Sequence, residues 1–215
     1  LITFLMGLSI GVHLLNLLAI PAIAFVYYFK KYTPSKKGII LTGIISIALI
    51  GLIMNGIIPW IVKLSSVFEL LFVNSFGLPF NSGTAFYFIV LIGLIIWALR
   101  YTIKKQKALL NPLVLSFTFI LIGYSSFFMI IIRSNANPPI DENSPEDAIS
   151  LLSYLAREQY GDWPILYGQF YNAPTIDLKD GTPIYVKDIK KGKYVITDDR
   201  KGTEPVYDPR FTTLF

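Results

Sequence analysis

Four stretches of the chain carry no Asp, Glu, Lys or Arg: Leu1–Phe29, Gly38–Val62, Leu70–Leu99 and Ala108–Ile132. Each is long enough to cross a hydrocarbon layer of about 30 Å, which takes roughly 20 helical residues. Lipid offers backbone groups no partners, so each crossing is expected to be helical. The third stretch is interrupted. Residues 64–84 hold Asn74, Gly77, Pro79, Asn81, Ser82 and Gly83, a loop pattern with a short helix over about 65–74. The predicted spans are about 1–29, 38–62, 85–103 and 111–132. Between spans two and three, Val67, Leu70, Leu71, Phe76, Leu78 and Phe80 form an apolar stripe, either lying at the membrane interface or simply connecting.

The pattern changes at Arg133. The segment Arg133-Ser-Asn-Ala-Asn-Pro-Pro-Ile-Asp141 excludes regular structure. Ser144-Pro145-Glu146-Asp147 then reads as a helix start, with Ser144 at the N-cap, Pro145 at the first position and acids in the first turn. That helix is expected to reach Gln159, with Ile149, Leu152, Leu155 and Ala156 on its apolar face and Gly161 as its stop. Three strands are predicted, Ile165–Tyr171, Ile184–Lys187 and Tyr194–Thr197, separated by turns at Lys179-Asp180-Gly181 and Lys191-Gly192-Lys193. Asp198-Asp199-Arg200 reads as a further turn. The expected fold class is a mostly α membrane protein: a helical region over 1–132, then a small α+β extracytoplasmic region over 133–215.

Charge sharpens this division. Only 15% of the 215 residues are charged, against about 25% in ordinary soluble domains. Residues 1–132 hold 10 charged groups and residues 133–215 hold 23. The net charge of +5 divides into +8 and −3, which is not the footprint of a nucleic-acid binder. Zero cysteines exclude a disulfide scaffold and a thiol nucleophile. Lys30, Lys31, Lys36 and Lys37 follow span one; Arg100, Lys104, Lys105 and Lys107 follow span three. The positive-inside rule puts both clusters in the cytoplasm and the tail outside.

Candidate chemistry is sparse. The P-loop, Rossmann, His-Glu-x-x-His and Gly-x-Ser-x-Gly patterns are missing, and the single histidine, His13, lies in a span. Ser9, His13 and Asn16 fall at i, i+4 and i+7, one face of a continuous helix. That face reads either as helix packing or as a polar lining for a lipid-linked headgroup. Gly7 and Gly11 give a GxxxG spacing. Asp141, Glu142, Glu146 and Asp147 cluster after span four, as solvated charge or as a base or cation site. Glu69 is the only acid and Lys63 the only base between spans two and three. Glu69 is expected to be exposed at the membrane surface. The candidates are thus Asp141 and Glu69 for catalysis, and Arg133, His13 and Asn16 for ligand binding, with no metal site.

Longer motifs carry a resemblance: Gly7-Leu-Ser-Ile-Gly-Val-His-Leu-Leu-Asn16, Phe76-Gly-Leu-Pro-Phe-Asn-Ser-Gly83, the Arg133–Asp141 segment, and Arg157-Glu-Gln-Tyr-Gly-Asp-Trp-Pro164 on to Asn172. The chain resembles a large family of multi-pass membrane proteins of Gram-negative bacteria, related to animal endoplasmic-reticulum protein O-mannosyltransferases and similar to GT-C glycosyltransferases. The resemblance implies an internal fragment of a longer protein in the inner membrane, its tail in the periplasm. It implies a polyprenyl-phosphate-linked sugar as donor, exported proteins as acceptors, and no cofactor in the chain. Its partners would be the lipid bilayer, the lipid-linked sugar, the acceptors and the rest of its own chain. It places the catalytic carboxylate in a first outer loop upstream, so none is carried over to a residue here. Two other readings stay open: a non-catalytic scaffold of an envelope export complex, and a lipid-linked-sugar transporter, against which the lack of buried charge in the spans weighs.

The charge asymmetry makes a testable prediction. Compartment-specific reporters fused after Lys37 and after Phe215 should report the cytoplasm and the outer side respectively. A cytoplasmic signal from the second fusion contradicts the predicted topology.

Overall fold

The computed structural model describes residues 1–141, 144–156, 167–179, 183–196 and 204–214. It is mostly helical, with four helical segments long and apolar enough to cross a membrane: Leu14–Lys31, Lys36–Ser75, Ser82–Lys104 and Leu110–Ser134. A small strand-containing region follows. Apolar side chains cover the outward faces of these helices, from Ile40 and Ile47 to Ile89 and Leu113. This is the surface of a multi-pass membrane protein.

The stretch 1–29 is not one helix, as its unbroken hydropathy led us to expect. Helix α1 (Ile2–Val12) ends at His13, whose backbone is extended at φ −160° and ψ 126°. A 3-10 turn (Leu14–Leu18) leads into α2 (Ala19–Lys31). Pro21 lies in the first turn of α2, where its missing N–H costs nothing; within a continuous helix it would remove a bond and clash one turn back. The polar residues stitch this break. His13 Nδ1 accepts from Leu15 N–H at 3.1 Å, and the Asn16 amide donates to Ser9 C=O at 3.3 Å. Ser9 donates to Met6 C=O at 2.7 Å. Ser9, His13 and Asn16 therefore do not share one helical face, because the helix stops between them.

Helix α1 packs on α6 (Leu110–Tyr124), which continues through a 3-10 turn into α7 (Phe128–Ser134). Gly7 faces Ile120 and Gly123, and Gly11 faces Ser126 and Phe127, so the two helices run in the same direction. A Cβ at Gly7 would overlap the Ile120 carbonyl, and one at Gly123 would overlap the backbone of Phe4 and Leu8. Small residues let the backbones touch, which is how apolar helices associate without a hydrophobic driving force.

The second span also differs from expectation. It does not end near Val62 in a loop. Helix α3 (Lys36–Gly51), a π segment (Leu52–Ile57), α4 (Ile58–Leu70) and a second π turn (Leu71–Ser75) form one 40-residue helical rod. At 1.5 Å per residue it is about 60 Å long, twice a hydrocarbon core. The first π segment precedes Pro59, whose ring cannot donate to the turn before it; the wider turn absorbs the defect. Chain reversal is confined to 76–81, and α5 (Ser82–Lys104) returns alongside α4.

The tail opens with α8, Ala148–Ala156, shorter than predicted at its start. Its cap is Asp147, not Ser144: Asp147 Oδ1 accepts from Ile149 N–H at 3.0 Å and Ser150 N–H at 2.8 Å. Ser144 instead takes a positive φ of 38°. The expected residues 157–159 and the stop at Gly161 lie outside the described residues. Leu151, 2% exposed, joins Ile53, Ile58, Val62 and Tyr124 in a core shared by α8 and the helical part. Three antiparallel pairs complete the tail: β1 (Tyr167–Gln169) with β6 (Thr212–Leu214), β2 (Thr175–Lys179) with β5 (Glu204–Tyr207), and β3 (Tyr185–Asp188) with β4 (Lys193–Ile196). β1 falls within a predicted strand, β3 and β4 overlap theirs but reach Asp188 and Lys193 outside them, and Gly192 at φ 62° makes the β3–β4 turn. Residues 165–166, Thr197, Glu142 and the predicted turn at 198–200 lie outside the described residues.

The α1–α6 contact predicts an asymmetric response to added bulk. Gly123→Val should destabilise the solubilised protein by about 1–3 kcal/mol through overpacking. Gly93→Ala, which meets nothing within 4 Å, should be neutral or slightly stabilising. Thermal unfolding in detergent checks both; equal effects would contradict the packing.

A candidate site between α4, α8 and the β3–β4 hairpin

The rod runs a little past the start of α5; the β3–β4 hairpin meets its end at Asn74, and α8 packs on α4 through Leu151 and Ala148. One residue organises the junction. Glu69 is completely buried, contrary to the exposed charge expected from sequence. Its Oε1 accepts from Asn81 N–H at 2.5 Å; its Oε2 accepts from Thr84 N–H at 2.9 Å and Thr84 Oγ1 at 3.1 Å. These groups open α5, so the carboxylate satisfies orphan donors where the helix dipole favours negative charge. Gly83 permits the approach, since a Cβ there would overlap the Phe68 carbonyl. Tyr194 Oη adds a contact to Oε1 at 3.3 Å. Both oxygens of Glu69 are thus engaged in holding this turn.

Tyr194 also contacts Asp147 Oδ2, at 3.2 Å, so one phenol bridges two carboxylates from different elements. Lys187 Nζ lies 3.2 Å from the same Asp147 oxygen. Burial pushes the Asp147 carboxyl upward, but the Ser150 N–H, the Lys187 charge and the Ser150 hydroxyl outweigh it and hold it below the usual range. Burial, then the charges of Asp147 and Glu69, drive the Tyr194 phenol far upward, so it remains a donor. Asn74 completes the latch. Its side chain accepts from Tyr194 N–H and donates to Tyr194 C=O, both at 2.9 Å. Ser66 donates to Ala148 C=O at 2.8 Å.

These contacts wall a cleft of about 620 Å³ between α4, the start of α8 and β3. Lys63 stands on one wall, exposed, its Nζ 5.2 Å from the centre of the Trp60 ring. Glu146 and Ser144 stand on another. Among the described residues, neither the Lys63 ammonium nor the Glu146 carboxylate has an ion-pair partner. Among the described residues, the cleft thus presents the Lys63 cation and the Glu146 carboxylate without ion-pair partners, with several hydroxyls, beside the apolar Val67, Leu70 and Leu152.

The candidates from sequence are dispersed. Asp141 accepts from Ser134 Oγ at 2.7 Å and braces the exit of α7. Arg133 is exposed at the end of α7. His13 and Asn16 belong to the break after α1. The acidic cluster separates: Asp147 turns into the latch, Glu146 into the cleft and Asp141 towards α7. Among the described residues no three of His, Asp and Glu gather as metal ligands. Sequence reading missed Tyr194, Asn74 and Lys187, whose partners lie up to 125 residues away.

The latch has a pH signature. The Asp147 carboxyl is depressed in the folded state, so its stabilisation is complete above the unfolded value of about 3.9. It is lost as pH falls through the lower folded value. Hydrogen exchange of β3–β4 amides, corrected for intrinsic rates, should be flat at neutral pH and accelerate at acidic pH below about 4. Lys187→Ala should move the onset upward; an unchanged onset contradicts the ion pair.

Comparison with known proteins covers the two ends of the chain. Residues 1–36 match the family model of the N-terminal domain of the protein O-mannosyl-transferase TMEM260. Residues 161–215 match DUF8416, a family of unknown function. No curated protein and no solved structure matches the chain. The first match takes in α1, the break at His13 and α2; the second takes in the strands, and α4 with the start of α8 lies between them. Through its first 36 residues the chain is similar to the opening domain of a protein O-mannosyl-transferase.

Proposed function

We propose that the chain is part of a membrane glycosyltransferase of the GT-C kind, moving sugar from a polyprenyl-phosphate carrier to hydroxyl groups of exported proteins. The observation that carries this reading is the match of residues 1–36 to a protein O-mannosyl-transferase domain. The four apolar helices and the cleft beside α4 support it. The basic loops at 30–37 and 100–107 favour a tail on the outer, periplasmic side of a Gram-negative inner membrane.

In such a transfer the acceptor oxygen attacks the anomeric carbon, the carbon–oxygen bond to phosphate breaks, and the carrier phosphate leaves with its negative charge. The acceptor proton passes to a carboxylate. This chain's contribution is electrostatic: Lys63, at the cleft wall, and Arg133, at the end of α7, face the departing phosphate. Glu146 has a free carboxylate in the cleft, while the principal base comes from the upstream part of a longer chain.

The test compares envelope glycoproteins from cells with and without the gene, and from cells carrying Lys63→Gln in the full-length protein. Loss of O-linked hexose without the gene, and at least a tenfold fall in transfer with Lys63→Gln, are expected; tenfold corresponds to about 1.4 kcal/mol of barrier. Unchanged glycosylation in cells lacking the gene contradicts the reading. Unchanged glycosylation with failed export would favour the scaffold.

A further inference from the structure

The β3–β4 hairpin has two edges, and they are treated differently. In an antiparallel pair, opposed residues either exchange both backbone bonds or turn their N–H and C=O outward. Tyr194 is of the second kind, because both its backbone groups bond to Asn74. Its cross-strand partner is Lys187. The N–H and C=O of Lys187 therefore point away from β4, as do those of Tyr185, two residues earlier. No described group bonds to any of them. One edge of the hairpin is closed by a side-chain amide; the other is open among the described residues.

The open edge faces the cleft. Pro183, Ile184, Tyr185, Val186, Lys187 and Ile189 all line it. A cavity lying against one face of a strand would meet alternate residues only, since side chains alternate. Contact with consecutive residues means that the cleft runs along the strand's edge. At about 3.3 Å per residue, the stretch 183–188 up to the turn spans roughly 17 Å, enough for about five residues of an added strand.

We infer that this edge takes an extended polypeptide, which adds to β3 as a third strand. On the proposed function, that polypeptide is a segment of the exported acceptor protein. Only a backbone offers donors and acceptors that repeat every two residues, matching the outward groups of Tyr185 and Lys187. The same hairpin already accepts an amide in this way at its other edge, through Asn74. Side chains of the added strand would point alternately towards the apolar floor at Leu70 and Leu152 and away from it. The free charges of Lys63 and Glu146 line the same cleft.

The test uses the full-length protein in nanodiscs and an eight-residue Val/Thr peptide, with a copy N-methylated at every backbone amide. The unmethylated peptide should slow hydrogen exchange of the Tyr185 and Lys187 amides at least tenfold, and the methylated copy should not. Tyr185→Pro removes one outward N–H and leaves the β3–β4 bonds intact; it should weaken binding at least tenfold relative to Tyr185→Ala. No peptide binding, binding without protection of these amides, or equal binding of the methylated copy overturns the inference. The readout needs no turnover. An inactive protein that still protects Tyr185 and Lys187 would remove the glycosyltransferase reading and leave the open edge standing.

Discussion

A buried carboxylate, Glu69, fixes the geometry on which the candidate site depends. It sits near the end of a helical rod and receives the first donors of α5. That arrangement sets where α5 starts beside α4. The same carboxylate meets Tyr194 from the tail, and Tyr194 carries the link to Asp147 at the cap of α8. Turn, helix start and hairpin are therefore indexed to one side chain. A buried charge without these partners would cost several kcal/mol. With all its oxygens occupied, it specifies one arrangement of three elements.

Much of the helical part was legible in the sequence because lipid imposes a simple rule. Runs without charge must be helical, and basic loops mark their ends. What the rule could not show is where a helix stops within an apolar run. Residues 1–29 read as continuous, yet the helix stops at His13, and His13 and Asn16 bond across the break. Residues 65–74 read as a separate short helix in a loop, because Asn74 is a turn former; they instead continue the rod. Here Asn74 instead pairs with the backbone of Tyr194, so its polarity is used within the protein. Ser144-Pro145 looked like a cap, but Asp147 wins, because its second oxygen also gains Lys187 and Tyr194. At Asn74 and Asp147 a contact distant in sequence overrode the local signal. β2, β5 and β6 escaped notice because strands of three to five residues carry little alternation.

The site was less visible than the fold. Glu69 appeared to be a lone surface acid, and the acidic cluster after span four appeared to be one feature. Packing separates these roles. Glu69 and Asp147 are consumed in holding the junction, whereas Lys63 and Glu146 keep free charges on the cleft walls. The proposed chemistry in the cleft would therefore depend on rigidity supplied by Glu69 and Asp147, which would not themselves react. On the proposed function, an open strand edge along such a cleft would suit a polypeptide acceptor through its backbone, and the side-chain walls would select among acceptors.

The central claim is that the latch holds the hairpin in one position against α4. The chain has no cysteines, so nitroxide labels can be attached cleanly at Val67→Cys and Lys190→Cys, both exposed positions. Double electron–electron resonance on the protein in nanodiscs should give one narrow distance distribution, which broadens when Glu69→Leu is added. A broad distribution with Glu69 intact, or a narrow one that Glu69→Leu leaves unchanged, would contradict the account.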